Sequence, residues 1–117
     1  MSTLVFVYGT LKRGGENHEW IENQRFVAEA RTLPVYRMFD LGGYPGMVRA
    51  ADGLAIQGEI WQVDGPGLVR LDVLEDVEGG EYKRVEVELE GEFADHGAQA
   101  YIYLPSVEGR RDVGECW

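Results

Sequence analysis

Thr3-Leu4-Val5-Phe6-Val7-Tyr8-Gly9-Thr10-Leu11 opens the chain with six β-prone residues, five of them apolar or aromatic, and then breaks at a glycine. A run without polar alternation is what a strand covered on both faces requires. Gly9 ends it and leaves the backbone N–H groups of Gly9, Thr10 and Leu11 beyond the last ladder bond. Consecutive free N–H groups form a concavity suited to a carboxylate or phosphate, and glycine allows close approach to the backbone. Tyr8-Gly9-Thr10-Leu11 is therefore read as a substrate-holding loop, although the same residues also suit an ordinary glycine turn after a core strand. It is not a nucleotide P-loop: Gly9 and Gly14 have the right separation, but Gly15 stands where that motif needs lysine.

Outward from this strand, sixteen glycines punctuate the chain and imply short elements joined by tight turns. The spacing predicts a short helix over Glu16 to Glu22, strands over Phe26 to Arg31 and Leu33 to Phe39, and a turn-rich stretch from Leu41 to Gly46. Leu54 to Val63 reads as a strand. Asp64 and Pro66 then start a helix running from about Gly67 to about Asp76. Lys83 to Leu89 alternates Val85, Val87 and Leu89 inward with Arg84, Glu86 and Glu88 outward. A polar hairpin loop, Gly91 to Gly97, leads to a strand over Ala98 to Leu104, and residues after Pro105 read as irregular, with Trp117 as an anchor. Five or more strands with two short helices predict an α+β fold, a single domain over residues 1–117 whose sheet curls into a small mixed β-barrel.

On the predicted helix, Leu68, Leu71 and Glu75 fall at i, i+3 and i+7 and share one face, flanked by Leu74. Glutamate is seldom buried without a partner. Desolvation would raise its pKa into the range useful for proton transfer. The competing reading pairs Glu75 with Arg84 or Lys83 at the helix end. Asp72 and Asp76 fall toward solvent by the same geometry, and Glu78 and Glu81 read as solvated residues of the glycine-rich exit. Tyr82 begins a strand, where core packing competes with ligand binding. His18 and His96 are the only histidines and lack metal-site spacing, so no metal centre is expected.

Composition narrows the partners. With 21 acidic against 11 basic residues, the formal charge of −10 disfavours nucleic acid and anionic membranes. No apolar run approaches the ~20 residues of a bilayer span. Cys116 is the only cysteine, which with the lack of a recognisable leader points to a reducing, cytoplasmic setting. Oligomeric state is not legible.

Val7-Tyr8-Gly9-Thr10-Leu11-Lys12-Arg13-Gly14 followed by Asn17-His18 resembles the signature of the γ-glutamylcyclotransferase-like superfamily, in particular its compact branch of γ-glutamylamine cyclotransferases and AIG2-like proteins. Gly43-Tyr44-Pro45-Gly46, Gln57-Gly58-Glu59-Ile60-Trp61, Leu71-Asp72-Val73-Leu74-Glu75, Glu81-Tyr82-Lys83-Arg84 and Ala100-Tyr101-Ile102-Tyr103 follow in matching order. The resemblance implies a mixed barrel with one pocket and no metal or organic cofactor. It also implies an enzyme that releases 5-oxoproline from a γ-glutamyl amine or related small γ-glutamyl compound. By the same resemblance, Tyr8, Gly9, Thr10 and Leu11 hold the glutamyl end, Glu75 is the catalytic acid/base and Tyr82 a pocket tyrosine. One departure is Asp76-Val77-Glu78-Gly79-Gly80-Glu81, where many relatives place a proline before the tyrosine. The alternative of another class is a module of the same fold that binds a small carboxylate or amine without turnover.

Overall fold

In a computed structural model, which describes residues 2–117, the opening run forms β1 (Ser2–Val7). It is followed by β2 (Arg25–Arg31), β3 (Tyr36–Asp40), β4 (Pro45–Arg49), β5 (Gln57–Asp64), α1 (Gly65–Leu74), β6 (Tyr82–Glu86), β7 (Gln99–Tyr103) and β8 (Arg111–Asp112). The strands make one mixed sheet in the order β2-β5-β1-β7-β4-β3-β8, with β6 paired to β7 off that path. The α+β expectation agrees with this arrangement; the barrel does not. The sheet stays open: β2 and β6 share no ladder, and the segments just beyond their ends meet through a single bridge, Thr32 to Leu89.

β1 is covered on both faces, as its unbroken apolar run requires. Phe6 and Tyr8 pack with Ile56, Ile60 and Met47 in one cluster. Val5 and Val7 pack with Trp61, Val63 and Leu71 in the other, under α1. β5 feeds both clusters alternately and pairs with β1 from Ser2–Asp64 to Val7–Glu59. The Asp64 carboxylate caps α1 by accepting from Gly67 N at 2.7 Å, with Pro66 in the first turn.

The branch at β7 positions the site. One edge of β7 carries β6 from Tyr82–Tyr103 to Glu86–Gln99. The other edge is shared: β1 joins at Val5–Gln99, and β4 joins at Met47–Ile102. Where β1 and β4 diverge, the Tyr8 hydroxyl bridges them, donating to Tyr101 O at 2.7 Å and accepting from Met47 N at 3.1 Å. The exit of β1, the start of β4, the end of α1 and the start of β6 thereby meet at one end of the sheet.

Several boundaries differ from the pattern-based expectation. Glu16 to Glu22 gives only a 3₁₀ turn, His18–Trp20, because so short a segment does not sustain α-helix and its first residues are tied back to the preceding loop. The turn expected over Leu41 to Gly46 is tighter. Asp40 Oδ1 accepts from the N–H groups of Gly42 and Gly43 at 2.8 and 3.0 Å, and Leu41 N donates to Tyr44 O. A strand not expected there, β4, therefore starts at Pro45, the position in a strand that proline tolerates. The strand expected from Leu33 begins at Tyr36, after Pro34. Gly91–Phe93 forms a second 3₁₀ turn, and β8 arises inside the tail that read as irregular. Trp117 is 37% exposed rather than an anchor. No helix is long and apolar enough to cross a membrane among the described residues.

Candidate active site

The four converging elements enclose a cavity of ≈210 Å³. Phe6 and Val7 line it from β1, Tyr8, Gly9, Thr10 and Leu11 from the loop that follows, and Leu74 and Glu75 from the end of α1. Asn17, Tyr44, Pro45, Glu81, Tyr82 and Tyr101 complete the wall. The residues singled out in sequence thus lie around one space.

The loop is held from behind. Its carbonyls are occupied: Gly9 O accepts from Lys12 N at 3.1 Å, Thr10 O from Asn17 N at 2.9 Å, and Leu11 O from the His18 imidazole at 2.9 Å. The last contact places the His18 proton on Nδ1, since a carbonyl only accepts. Asn17 Nδ2 also donates to Thr10 Oγ1 at 3.0 Å. Among the described residues no hydrogen bond takes the N–H of Gly9, Thr10 or Leu11, so these donors remain available to a ligand.

A buried carboxylate anchors the far end of this loop. Glu59, 7% exposed on β5, accepts from Arg13 N and Trp61 Nε1 through Oε1, at 3.0 and 3.1 Å, and from Arg13 Nε through Oε2 at 3.0 Å. Burial pushes its pKa up, but these donors outweigh that and hold it below the ordinary value. The pattern on β5 places Glu59 beside Trp61, yet its partner Arg13 lies 46 positions away in sequence. Glu59→Ala strips partners from the Trp61 indole and the Arg13 amide together. It is expected to cost about 1–3 kcal/mol of unfolding free energy, measured by denaturant titration; an unchanged midpoint would show that the loop is fixed by other contacts.

Gly9 is required for a different reason from the one its sequence context suggests. A Cβ there would stand 2.4 Å from Pro45 Cγ and 2.8 Å from Pro45 Cδ. What approaches this backbone closely is the proline of Tyr44-Pro45-Gly46. Pro45 is fixed in turn, its carbonyl accepting from the Tyr82 hydroxyl at 2.7 Å. Tyr8 and Tyr82 are both buried, and burial above all pushes their pKa values up, so both hydroxyls stay protonated.

Glu75 follows the last α1 residue. Its N–H donates to Leu71 O at 2.9 Å, and the chain turns left-handed at Asp76 (φ 51°), a conformation that aspartate tolerates better than most residues. The helix ends at Leu74 rather than at Asp76, and the exit closes with Glu81 N donating to Asp76 O at 3.1 Å. Glu75 is half-buried, and burial pushes its pKa up to about 7, with the Glu81 charge adding to the rise.

The expected alternative partner is engaged elsewhere. The Arg84 guanidinium grips Asp72 at 2.9 and 3.1 Å, and the Tyr101 hydroxyl donates to the same carboxylate at 2.7 Å. Lys83 is exposed, and among the described residues Glu75 has no ion pair. Asp72, expected in solvent, is therefore half-buried. Burial raises its pKa, and the Arg84 and Tyr101 contacts bring it below the ordinary value. Glu81 also departs from expectation. It is half-buried, lines the cavity and accepts from the Tyr44 hydroxyl at 2.9 Å through Oε2. Its adjacency to Tyr82, a residue already singled out, was the available signal.

An open α+β sheet with a cavity that joins a loop of N–H donors, unpaired among the described residues, to a carboxyl whose pKa burial raises to about 7 defines a protein with a small polar pocket. The chain belongs to the γ-glutamyl cyclotransferase, AIG2-like family, whose model matches residues 5–117. A Vibrio cholerae protein named as a candidate γ-glutamylcyclotransferase is 42% identical over 88 residues, covering 75% of this chain and 74% of its own. The γ-glutamylcyclotransferase family protein YtfP of Citrobacter rodentium is 34% identical over 106 residues, 90% of this chain and 85% of its own. Among solved structures, an AIG2-like protein from Mus musculus matches with a TM-score of 0.73 and 26% identity, over 92% of this chain and 80% of its own.

Proposed function

We propose that this chain is a cyclotransferase that releases 5-oxoproline from a γ-glutamyl amine or a related γ-glutamyl compound. The observation that carries this reading is the half-buried, cation-free Glu75 carboxyl lining the same cavity as the unpaired loop N–H groups. The N–H groups of Gly9, Thr10 and Leu11 receive the glutamyl α-carboxylate, and the buried rings of Tyr8 and Tyr82 form walls against its methylenes. Glu75 takes a proton from the α-ammonium. The freed amine attacks the γ-carbonyl carbon, a C–N bond closes the five-membered lactam, and the bond to the leaving nitrogen breaks. That nitrogen takes the proton from Glu75. The carboxylate then takes the second proton from the ring nitrogen and passes it to the departing amine, which leaves as an ammonium, so the carboxylate is regenerated and water is neither used nor formed. Positioning both reacting ends of one molecule supplies ~7–11 kcal/mol of such a barrier, which suits a pocket built mainly from fixed backbone. Cys116 is an exposed free thiol, in keeping with action in a reducing cytoplasm.

Incubation with γ-glutamyl amines, γ-glutamyl amino acids and glutathione, with 5-oxoproline as the readout, tests the reading. Release from at least one class is expected; binding without release from any of them would make the chain a carboxylate- or amine-binding module instead.

The base role fixes a pH dependence. Glu75 must be ionised to accept the ammonium proton, so kcat/KM rises with pH through about 7. Glu81→Gln removes the neighbouring negative charge, makes ionised Glu75 less costly, and is expected to move that acid limb to lower pH. A limb that stays in place or moves upward in Glu81→Gln would separate the titrating group from Glu75.

A further inference from the structure

Asp72 and Glu75 share the last turn of α1, and a cation sits on one and not on the other. Residues three apart on a helix are neighbours, about 5–6 Å between Cβ atoms. A guanidinium that reaches Asp72 is therefore a side-chain swing away from Glu75. Arg84 takes Asp72 with two nitrogens, Nε donating to Oδ1 at 2.9 Å and Nη2 to Oδ2 at 3.1 Å. The Tyr101 hydroxyl donates to Oδ1 at 2.7 Å, and Gln99 Oε1 accepts from Arg84 Nη1. Tyr101 lies opposite Arg84 in the β6–β7 ladder, so both donors come from one pair of strands. The Asp72 main chain is fixed as well, its carbonyl accepting from Val77 N at 3.0 Å within the turn that carries Glu75. On the cavity side none of the lining side chains is Lys, Arg or His. Glu75 shares that space with Tyr8 from the loop after β1, Tyr44 before β4, Glu81 before β6, Tyr82 of β6 and Tyr101 of β7. Burial above all raises the pKa values of Tyr8, Tyr82 and Tyr101, and the contact with Glu81 raises that of Tyr44, so among these groups Glu81 alone carries charge. Lys83 is exposed, which leaves the half-buried Arg84 as the cation with a route to Glu75.

Resting on the reading of Glu75 as the general base, we propose that Asp72 is a positioning residue of the reaction, which holds the Arg84 guanidinium on its own carboxylate and so keeps Glu75 free of an ion partner. The pair is neutral as a whole and adds little field at Glu75, whereas either charge alone would act on it at close range. A carboxylate paired with a guanidinium is a weaker base and is turned away from the substrate ammonium. Tyr101 fixes the arrangement: its hydroxyl holds Asp72, and its carbonyl accepts from the Tyr8 hydroxyl at the entrance to the loop.

The two charges of the pair act on Glu75 with opposite sign, which a purely structural tie between α1 and β6 does not. Asp72→Asn keeps the shape and still accepts from the Tyr101 hydroxyl, but it gives the guanidinium no charge to hold. Arg84 then pairs with Glu75, and the acid limb of kcat/KM is expected to fall from about 7 by about 1–3 pH units, with a lower plateau. Arg84→Gln leaves the Asp72 carboxylate without its cation, and the limb is expected to move above 7 instead. Asp72→Asn combined with Arg84→Gln removes both charges and should return the limb to about 7. Shifts in the same direction in the two single variants, or a limb that stays in place in both, overturn the assignment while leaving cyclisation standing. If Asp72→Asn does not fold, Arg84→Gln carries the test: a rising limb supports the assignment, and an unmoved or falling one overturns it. Titration of the Glu75 carboxyl by NMR in the unmodified protein and the same variants reads these shifts without turnover. Opposed shifts there, with no 5-oxoproline from the unmodified protein, keep the diversion of Arg84 from Glu75 and remove the cyclotransferase.

Discussion

Glu75→Gln is expected to lower 5-oxoproline release by roughly 10²–10⁴-fold, the range for losing a positioned general acid/base, while the protein gains stability at alkaline pH. Glutamine keeps the shape of the side chain at the end of α1 but neither accepts the ammonium proton nor returns one to the leaving nitrogen. The stability change follows from the same burial that prepares the group for catalysis. Its ordinary pKa is 4.5 and the folded value is about 7. Below 4.5 the carboxyl is protonated in both folded and unfolded chains and costs nothing. Between 4.5 and about 7 the folded state pays increasingly for ionising it, and above about 7 the cost is complete. Discounted for partial solvation, this is on the order of 1–3 kcal/mol. Thermal unfolding at pH 8 should therefore show Glu75→Gln melting higher than the unmodified protein, with the two coinciding near pH 4. An inactive variant that is also less stable at pH 8 would mean that Glu75 is a structural carboxylate after all. An active variant would remove it from the mechanism.

Why Glu75 was readable from sequence, and its surroundings were not, comes down to the range of the information. A 3.6-residue period places Leu68, Leu71 and Glu75 on one face using only neighbours on α1, and an apolar run ending in glycine marks β1 and its exit loop in the same local way. Asp72 obeys the same period and should point outward. It is drawn in by Arg84 and Tyr101, which lie 12 and 29 positions away. Glu81 is brought to the cavity by the left-handed turn at Asp76, and a positive φ at a non-glycine residue leaves little trace in sequence. The open sheet has the same origin. Local alternation shows that strands exist, but the branch at β7 depends on β1 and β4 sharing one edge over the span from Gln99 to Ile102. The Tyr8 hydroxyl between them satisfies the backbone groups left by that divergence, a task its place in the motif does not reveal. Tyr44-Pro45-Gly46 read as a turn because glycine and proline mark turns, although its proline starts β4 and presses on Gly9.

That contact makes Gly9→Ala the second large effect. The φ of Gly9 is not in the left-handed region, so alanine is excluded by space rather than by backbone conformation. The added methyl would lie 2.4 Å from Pro45 Cγ. Pro45 has little freedom to yield, since its ring is rigid, its carbonyl accepts the Tyr82 hydroxyl, and it pairs with Asp40 at the end of the β3–β4 hairpin. The loop must move instead, and with it the three N–H donors. Overpacking of this kind costs about 1–3 kcal/mol of stability. A displacement of about 1 Å in a group that positions substrate is expected to lower kcat/KM by roughly 10²-fold. Pro45→Ala removes the atoms that the new methyl would strike, because Pro45 Cβ lies 3.9 Å away, in ordinary contact. The double variant Gly9→Ala with Pro45→Ala should therefore recover most of the stability lost in Gly9→Ala and a measurable part of its activity, giving a favourable coupling energy in a double-mutant cycle. Strict additivity of the two substitutions would show that Gly9 serves the ligand directly, by admitting it to the backbone, and that its contact with Pro45 is incidental.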